Sequence, residues 1–179
     1  IRDRKKPCAP AMRHRCVEWS CPANFYPDFS VWAENCWGIN VVASMESLIS
    51  DIIINTADPD RALADLARCY EKMMMRSHTN GGYVNLLDEC WKMCEKFHTN
   101  IVIMYDHVSC KNVGGLHGLF EDQARERGIH LIWIPHDVMD PRTVSRREMR
   151  EAFSQYMVTV LNEKPLDPTL LDYEDALSW

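Results

Sequence analysis

The fold is decided by residues 100–134, NIVIMYDHVSCKNVGGLHGLFEDQARERGIHLIWI. Two continuous apolar runs, 101–105 and 129–134, are typical of strands that are buried on both faces of a sheet. Between them lies a helical stretch, 116–127, which ends at Gly128, because glycine commonly closes a helix. The segment therefore predicts two parallel strands joined by a helix.

The alternation of strands and helices extends toward the start of the chain. A short strand is expected at 14–19, and a helix that ends at Gly38 is followed by another strand from Ile39. A further helix begins at Asp58-Pro59, because proline is favoured in the first turn. Its predicted apolar side consists of Leu63, Leu66, Ala67 and Tyr70.

A polar, glycine-containing stretch, RSHTNGG at 76–82, is expected to end that helix in a loop. Loops of this kind often border binding sites, so His78 is a candidate contact for a substrate, with a solvated histidine as the alternative. The methionines before the loop, 73–75, are typical of core filling. A helix over 83–97 then leads into the strand at 101–105.

The C-terminal part contains one more helix. Ser145 and Glu148 have the spacing of a capping box, which predicts a helix from there to about residue 162. The last stretch, 165–179, contains two prolines and several acidic residues, and we expect it to lie as a tail on a neighbouring protein or on its own domain.

These elements predict an α/β fold with an open parallel sheet, flavodoxin-like or Rossmann-like, of about four strands flanked by helices. Residues 1–24 are expected to be an irregular N-terminal segment or linker. The flavodoxin-like domain is expected at 25–164, and the C-terminal tail at 165–179.

Composition limits the classes of function. The 179 residues suit one domain, and their net charge of -6 argues against nucleic-acid binding. The basic residues near the start are expected to be a solvated segment: Arg2, Arg4, Lys5 and Lys6. No apolar run is long enough to span a membrane, and a cytoplasmic location is expected. With neither an initial methionine nor a signal segment, we expect the chain to be a piece of a longer protein.

Eight cysteines are many for this length, and disulfides, zinc, an iron–sulfur cluster and buried thiols all remain open on the count alone. No C-x-x-C motif occurs in the sequence. Cys90 and Cys94 lie on one helix face and would suit half a metal site, although the apolar residues around them favour a core helix.

Cys110 differs from the other cysteines because it follows a strand directly. In open α/β sheets, ligands and cofactors collect at this end of the strands. Its turn also contains His107 and Asn112. Four interpretations remain open here: a Cys–His nucleophile, a phosphate loop, a cluster ligand, or a buried cysteine at the start of a helix. The glycines fit neither common phosphate-loop motif.

Residues 100–157 resemble the C-terminal end of the benzoyl-CoA reductase and 2-hydroxyacyl-CoA dehydratase family. The resemblance consists of the strand ending in Ser109-Cys110-Lys111, the helix before Gly128, the second apolar strand, the motif DVMDPR at 137–142 and the helix that starts at Ser145. The similarity covers roughly residues 38–162.

This resemblance implies that Cys110 binds a [4Fe-4S] cluster whose remaining ligands lie outside this chain. It gives no such role to Cys8, Cys16 or Cys21. It implies one-electron reduction of a coenzyme A thioester, with ATP hydrolysed by a partner subunit, and this chain indeed has no P-loop motif.

The partners implied are an acyl-CoA substrate, a homologous cluster-binding subunit and ATP-hydrolysing activator or electron-donor subunits. His107, Asn112 and His78 are the candidates for binding substrate or tuning the cluster.

The sequence slightly favours an aromatic acyl-CoA reductase, such as a benzoyl-CoA reductase. The reason is that the turn HVSCKN at 107–112 and the stretch FSQYM at 153–157 resemble the cluster-bearing subunits of that enzyme. A 2-hydroxyacyl-CoA dehydratase that uses radical chemistry is the alternative. A non-catalytic accessory subunit of the same family is the third possibility.

Overall fold

A computed structural model of the chain describes residues 12–46, 52–72 and 74–172. Four parallel strands form one open sheet in the order β2-β1-β3-β4, which confirms the predicted α/β fold. This is the order of the first four strands of a flavodoxin-like sheet. The strands are β1 His14–Trp19, β2 Ile39–Ser44, β3 Ile101–His107 and β4 His130–His136.

Helices cover both faces of the sheet. One face packs against α1 and α6, and the other packs against α3, α4 and α5. The helices are α1 Phe29–Trp37, α2 Pro59–Glu71, α3 Met74–Phe97, α4 Lys111–Gly115, α5 His117–Arg127 and α6 Arg146–Thr159, followed by a 3-10 turn at Pro168–Leu170.

The apolar run of β3 divides between two cores because side chains alternate along a strand. Ile101, Ile103 and Tyr105 join the core under α1 and α6, whereas Val102 and Met104 join the core on the opposite face. A strand buried on both faces therefore has no polar position until its carboxyl end, where Asp106 and His107 become partly exposed.

Several predicted helix ends are confirmed. Gly38 and Gly128 adopt the left-handed conformation with φ of 74° and 65°, and close α1 and α5. The Asp58 side chain accepts hydrogen bonds from the backbone at the start of α2. Ser145 and Glu148 form the complete capping box of α6, which ends at Thr159, short of the predicted residue 162.

The predicted loop at 76–82 was wrong. Residues 74–81 are helical, and α3 is interrupted only at Gly82, whose φ of 72° and ψ of -175° are confined to glycine. The glycine pair therefore marks a break between two helical pieces. His78 consequently lies on a helix and is buried.

The face that α2 buries was also predicted wrongly. Leu63 is 66% exposed, Tyr70 is 59% exposed, and Leu66 is exposed as well, whereas Asp65 and Cys69 are buried. Asp65 accepts a hydrogen bond from the backbone of Asn55 at 3.2 Å, which holds the polar side of the helix inward. An amphipathic pattern identifies a helix with two unlike faces, but it does not say which face has a neighbour.

The N-terminal end of the domain lies inside the sheet, and its C-terminal tail packs on the surface. Strand β1 lies within residues 1–24, yet it pairs with both β2 and β3, so the sheet begins well before residue 25. The described part of the tail, 165–172, packs on α1, where Leu166 donates a backbone hydrogen bond to Cys36 at 2.7 Å. Cys8, the basic residues near the start and residues 173–179 lie outside the described part of the chain.

Within the described ranges, none of the helices is long and apolar enough to cross a membrane.

Candidate functional site

The candidate site lies at the reversal point of the sheet, where the chain changes the side of β1 on which it adds the next strand. From β1 the chain passes to β2 on one side, and from β2 it returns to β3 on the other side of β1. The loops after β1 and β3 therefore leave in opposite directions and open a crevice at the carboxyl ends of these strands. Ligands bind at this position in open α/β sheets.

Cys110 follows the carboxyl end of β3, at the edge of the sheet where this crevice opens. It is the residue before α4, in an extended conformation, and its backbone N–H donates to the carbonyl of His107 at 2.8 Å. Gly114 donates in turn to the Cys110 carbonyl at 3.1 Å. The expected helix at 116–127 is thus preceded by a separate one-turn helix, and Cys110 stands partly exposed at its start.

A second thiol, Cys21, lies near Cys110 at the end of β1. Burial, and then electrostatic interactions with Glu46 and Cys110, raise the pKa of the Cys21 thiol. Ser20 precedes it with φ of 72°, a strained conformation for a residue with a side chain. The chain thus leaves β1 through a sharp turn, and Cys21 lies close enough to Cys110 to interact with it electrostatically.

Hydrogen bonds from the β4 side of the sheet hold the loop after β1. His136 Nε2 lies 2.8 Å from the Cys21 carbonyl oxygen. The backbone N–H of Asn24 donates to the Val138 carbonyl at 2.8 Å. The Arg146 guanidinium donates to the carbonyl of Phe25. These contacts place the loop in one position against the site.

The DVMDPR motif at 137–142 forms the turn that carries Val138. The Asp137 carboxylate accepts backbone hydrogen bonds from Met139 and Asp140 at 2.8 and 2.9 Å. The hydrogen-bonded Arg142 guanidinium lowers the pKa of Asp140 to about 2. The charged groups of the motif therefore stabilise a loop that fixes the site.

The other predicted site residues, His107, Asn112 and His78, have three different surroundings. His107 is linked to it through the backbone, and the His107 Nδ1 accepts from the Ser109 N–H at 2.9 Å. Asn112 is exposed on α4. His78 lies on α3 against Trp19, with ring centroids 5.6 Å apart.

The His78 environment is unusual for a polar ring. Its Nε2 is buried without a hydrogen-bond partner among the described residues, and burial lowers its pKa. A buried polar nitrogen without a partner is costly. A role for His78, His107 or Asn112 in binding substrate or tuning a cluster stays a prediction.

Sequence reasoning missed three polar residues at the same edge of the sheet. Glu18 on β1, Tyr105 on β3 and His136 on β4 lie on the face covered by α1 and α6. They form a diagonal, because Glu18 pairs with Ile103 and Tyr105 pairs with Ile134, so each residue is two positions beyond the partner of the one before it. Tyr105 Oη donates to Glu18 Oε1 at 2.8 Å, and its ring lies 5.5 Å from that of His136. The signal in the sequence was the presence of polar residues near the carboxyl ends of these three strands.

The Cys90 and Cys94 pair lies elsewhere, on α3. Both thiols are buried. In the described ranges no group of three or more His, Cys, Asp or Glu side chains is arranged to hold a metal ion, so this pair is not completed into a metal site. Cys94 lines a cavity of about 540 Å³ together with His98 and Arg127, near the start of β3.

The geometry defines a class of protein: an open α/β domain that presents thiols and a carboxylic acid at the reversal point of its sheet. Residues 1–157 match the family model described as 2-hydroxyglutaryl-CoA dehydratase, D-component. The chain therefore belongs to this family. The match confirms the resemblance at the level of the family and extends it to residue 1. Neither the curated proteins nor the solved structures yielded a match to this chain.

Proposed function

We propose that this chain is part of a subunit of a 2-hydroxyacyl-CoA dehydratase, which removes water from a 2-hydroxyacyl thioester with the help of a low-potential electron. The observation that carries this proposal is the match of residues 1–157 to the dehydratase D-component. The position of Cys110 at the reversal point of the sheet supports it, because cofactors bind there in this class of fold.

Cys110 is the residue that we propose as a ligand of a [4Fe-4S] cluster. A thiolate is the usual ligand of such a cluster, and Cys110 is a partly exposed thiol with Cys21 nearby. The described residues do not complete a metal site. Cys110 thus fits as one ligand of a shared site whose other ligands lie outside this chain. A bound cluster would supply single electrons.

A dehydratase of this type works as an assembly. We propose a homologous cluster-binding subunit and an activator that hydrolyses ATP as partners, since the matched family model is itself described as one component of an enzyme. The exposed apolar side chains of α2, Leu63, Leu66 and Tyr70, support a further partner, because exposed apolar patches commonly mark interfaces.

Reduction of an aromatic acyl-CoA is the second candidate. The sequences at 107–112 and 153–157 favour it, because they resemble the cluster-bearing subunits of benzoyl-CoA reductase. Both reactions use one-electron reduction of a thioester, so the same crevice suits either. The family description favours dehydration.

The two candidates differ in substrate. The complex that contains this chain is purified without oxygen and supplied with ATP and a reduced electron donor. It is then assayed with 2-hydroxyglutaryl-CoA and with benzoyl-CoA. We expect the enoyl thioester and water from the first substrate and no turnover of the second. Reduction of benzoyl-CoA alone would overturn the dehydratase proposal, and turnover of neither would favour an accessory role.

A further inference from the structure

A row of polar side chains crosses three neighbouring strands at the reversal point of the sheet. Tyr105 is at its centre, with its hydroxyl 2.8 Å from Glu18 on one side and its ring edge-on to His136 on the other. Glu18 lies on β1 and Tyr105 on β3, the two strands between which the crevice opens. The row therefore borders the crevice in which proteins with this type of sheet bind their ligands.

Packing alone does not account for this row. Tyr105 and His136 are almost fully buried, on a sheet face whose other members, such as Ile103 and Ile132, are apolar. Hydrogen bonds to Glu18 and to the Cys21 carbonyl offset the cost of burying these two polar side chains, whereas aliphatic residues would fill the same space without needing such partners. Glu18 alone of the three is partly exposed, so it is the member of the row that lies nearest to solvent.

Backbone strain occurs at the same place. Ser20, two residues after Glu18, is buried and has φ of 72°. Strained residues of this kind cluster at functional sites, where the surrounding structure holds them. Here the His136 contact to the Cys21 carbonyl, at 2.8 Å, fixes the strained turn to the same row.

The surroundings of Glu18 favour its protonated form. Burial raises its pKa above the ordinary value, and the hydrogen bonds from Tyr105 and from the Ser30 hydroxyl on α1 oppose that shift. The charged or titratable groups that face Glu18 are Glu46 after β2, Tyr105 on β3 and Cys16 on its own strand. A carboxyl group whose pKa is raised in this way is suited to general acid catalysis.

We propose that Glu18 is the acid–base residue of the dehydration and that Tyr105 positions its carboxyl group. This inference rests on the proposed function. The bond from the α-carbon to the hydroxyl oxygen breaks with its electron pair on oxygen, the Glu18 proton joins that oxygen, and water leaves. The Glu18 carboxylate then removes a proton from the β-carbon, which restores the acid. The electron supplied by the activating partner enters the thioester before these steps and leaves after them.

The test uses Glu18→Gln and Tyr105→Phe in the assembled complex. Glu18→Gln keeps an acceptor for the Tyr105 hydroxyl but carries no acidic proton, and we expect turnover to fall about 100-fold. Glu121→Gln and Tyr156→Phe are matched controls, because Glu121 accepts from Trp133 and Tyr156 lies on α6, so neither belongs to the row. Both controls should turn over at the wild-type rate.

Tyr105→Phe gives a readout that a purely structural role would not move. Removing the Tyr105 hydroxyl removes a hydrogen bond that lowers the pKa of Glu18, so that pKa should rise. The limb on which turnover falls with increasing pH should therefore move to higher pH. An unchanged pH profile in Tyr105→Phe would contradict the positioning role.

Infrared spectroscopy reports on Glu18 without turnover. We expect the carbonyl band of the protonated Glu18 carboxyl group to persist above pH 4.5 in the wild type and to be absent from Glu18→Gln. Absence of the band, or wild-type turnover in Glu18→Gln, overturns the inference and leaves the dehydratase proposal standing. A wild-type complex that turns over no 2-hydroxyacyl thioester instead overturns the proposed function itself.

Discussion

Substituting Glu18 by glutamine should change how the stability of the domain depends on pH. Burial raises the pKa of Glu18 above its ordinary value of 4.5 in the folded chain. At pH values between 4.5 and the folded pKa, Glu18 is therefore mostly protonated in the folded state and mostly ionised in the unfolded state. Stability from this group is fully present below pH 4.5 and decreases as the pH rises through the folded pKa. Glutamine does not titrate, so the Glu18→Gln variant does not lose stability in this way as the pH rises.

The size of the effect has an upper bound. One proton contributes at most about 1.4 kcal/mol per pH unit, so above pH 4.5 the wild type can lose no more than this for each pH unit relative to Glu18→Gln. The change stops where the pH exceeds the folded pKa. At the acidic end the two proteins should be similarly stable, because glutamine has the shape of the protonated acid and can also accept from Tyr105.

Urea unfolding of both proteins at several pH values measures this difference. The contributions of other titrating groups, such as His136, to the unfolding free energy cancel when the wild type is compared with the variant at each pH. The difference in unfolding free energy should increase with pH in favour of Glu18→Gln. A difference that stays constant, or that shrinks as the pH rises, would refute the claim that Glu18 is buried as an acid.

Three further substitutions test the fold. Ser145→Ala should cost about 1 kcal/mol, because it removes the side chain that caps α6, and Ser145→Asp should restore most of this stability in urea unfolding. Gly82→Ala should lower the free energy of unfolding by about 1–3 kcal/mol, because the φ of 72° and ψ of -175° at this position suit glycine alone. Gly118→Ala within α5 is the control and should be neutral or stabilising. Equal effects of the two substitutions would contradict the assigned backbone. Phe153→Ala should cost about 3–5 kcal/mol, because Phe153 is fully buried with its ring 5.8 Å from that of Trp32, and a loss below about 1 kcal/mol in thermal or urea unfolding would mean that this core is packed differently.

The sheet was largely predictable because its signals are local. The apolar runs that became β3 and β4 contain few polar residues until their carboxyl ends. Gly38 and Gly128 lie at positions where a left-handed residue closes a helix. Each of these features depends on neighbours within a few residues, so one sequence suffices to recognise them.

The errors arose where a local pattern has more than one three-dimensional outcome. A glycine pair is common in loops, yet Gly82 only separates two helical pieces, and His78 therefore lies on a buried helix face. The amphipathic pattern of α2 was correct, but its apolar face is exposed. What lies against a helix is a tertiary property that the spacing of its residues does not contain.

The candidate site was half predictable. Cys110 stands out in the sequence because a cysteine directly after a buried strand is at the edge where cofactors bind. Glu18 and Tyr105 are 87 positions apart in the chain, and their hydrogen bond exists only because β1 and β3 are neighbours in the sheet. Strand order, rather than any motif, brings them together.

The role of Cys110 is tested most directly by the iron content and the electron paramagnetic resonance spectrum of the reduced complex. Cys110→Ser should lose about four iron atoms per subunit together with the signal of one cluster. Cys36→Ser is the matched control, because Cys36 is a buried thiol on α1 whose sulfur contacts the carbonyl of Asp167 in the tail. This variant should keep the wild-type iron content and the wild-type spectrum. Wild-type iron content and an unchanged spectrum in Cys110→Ser would contradict the assignment of Cys110 as a cluster ligand.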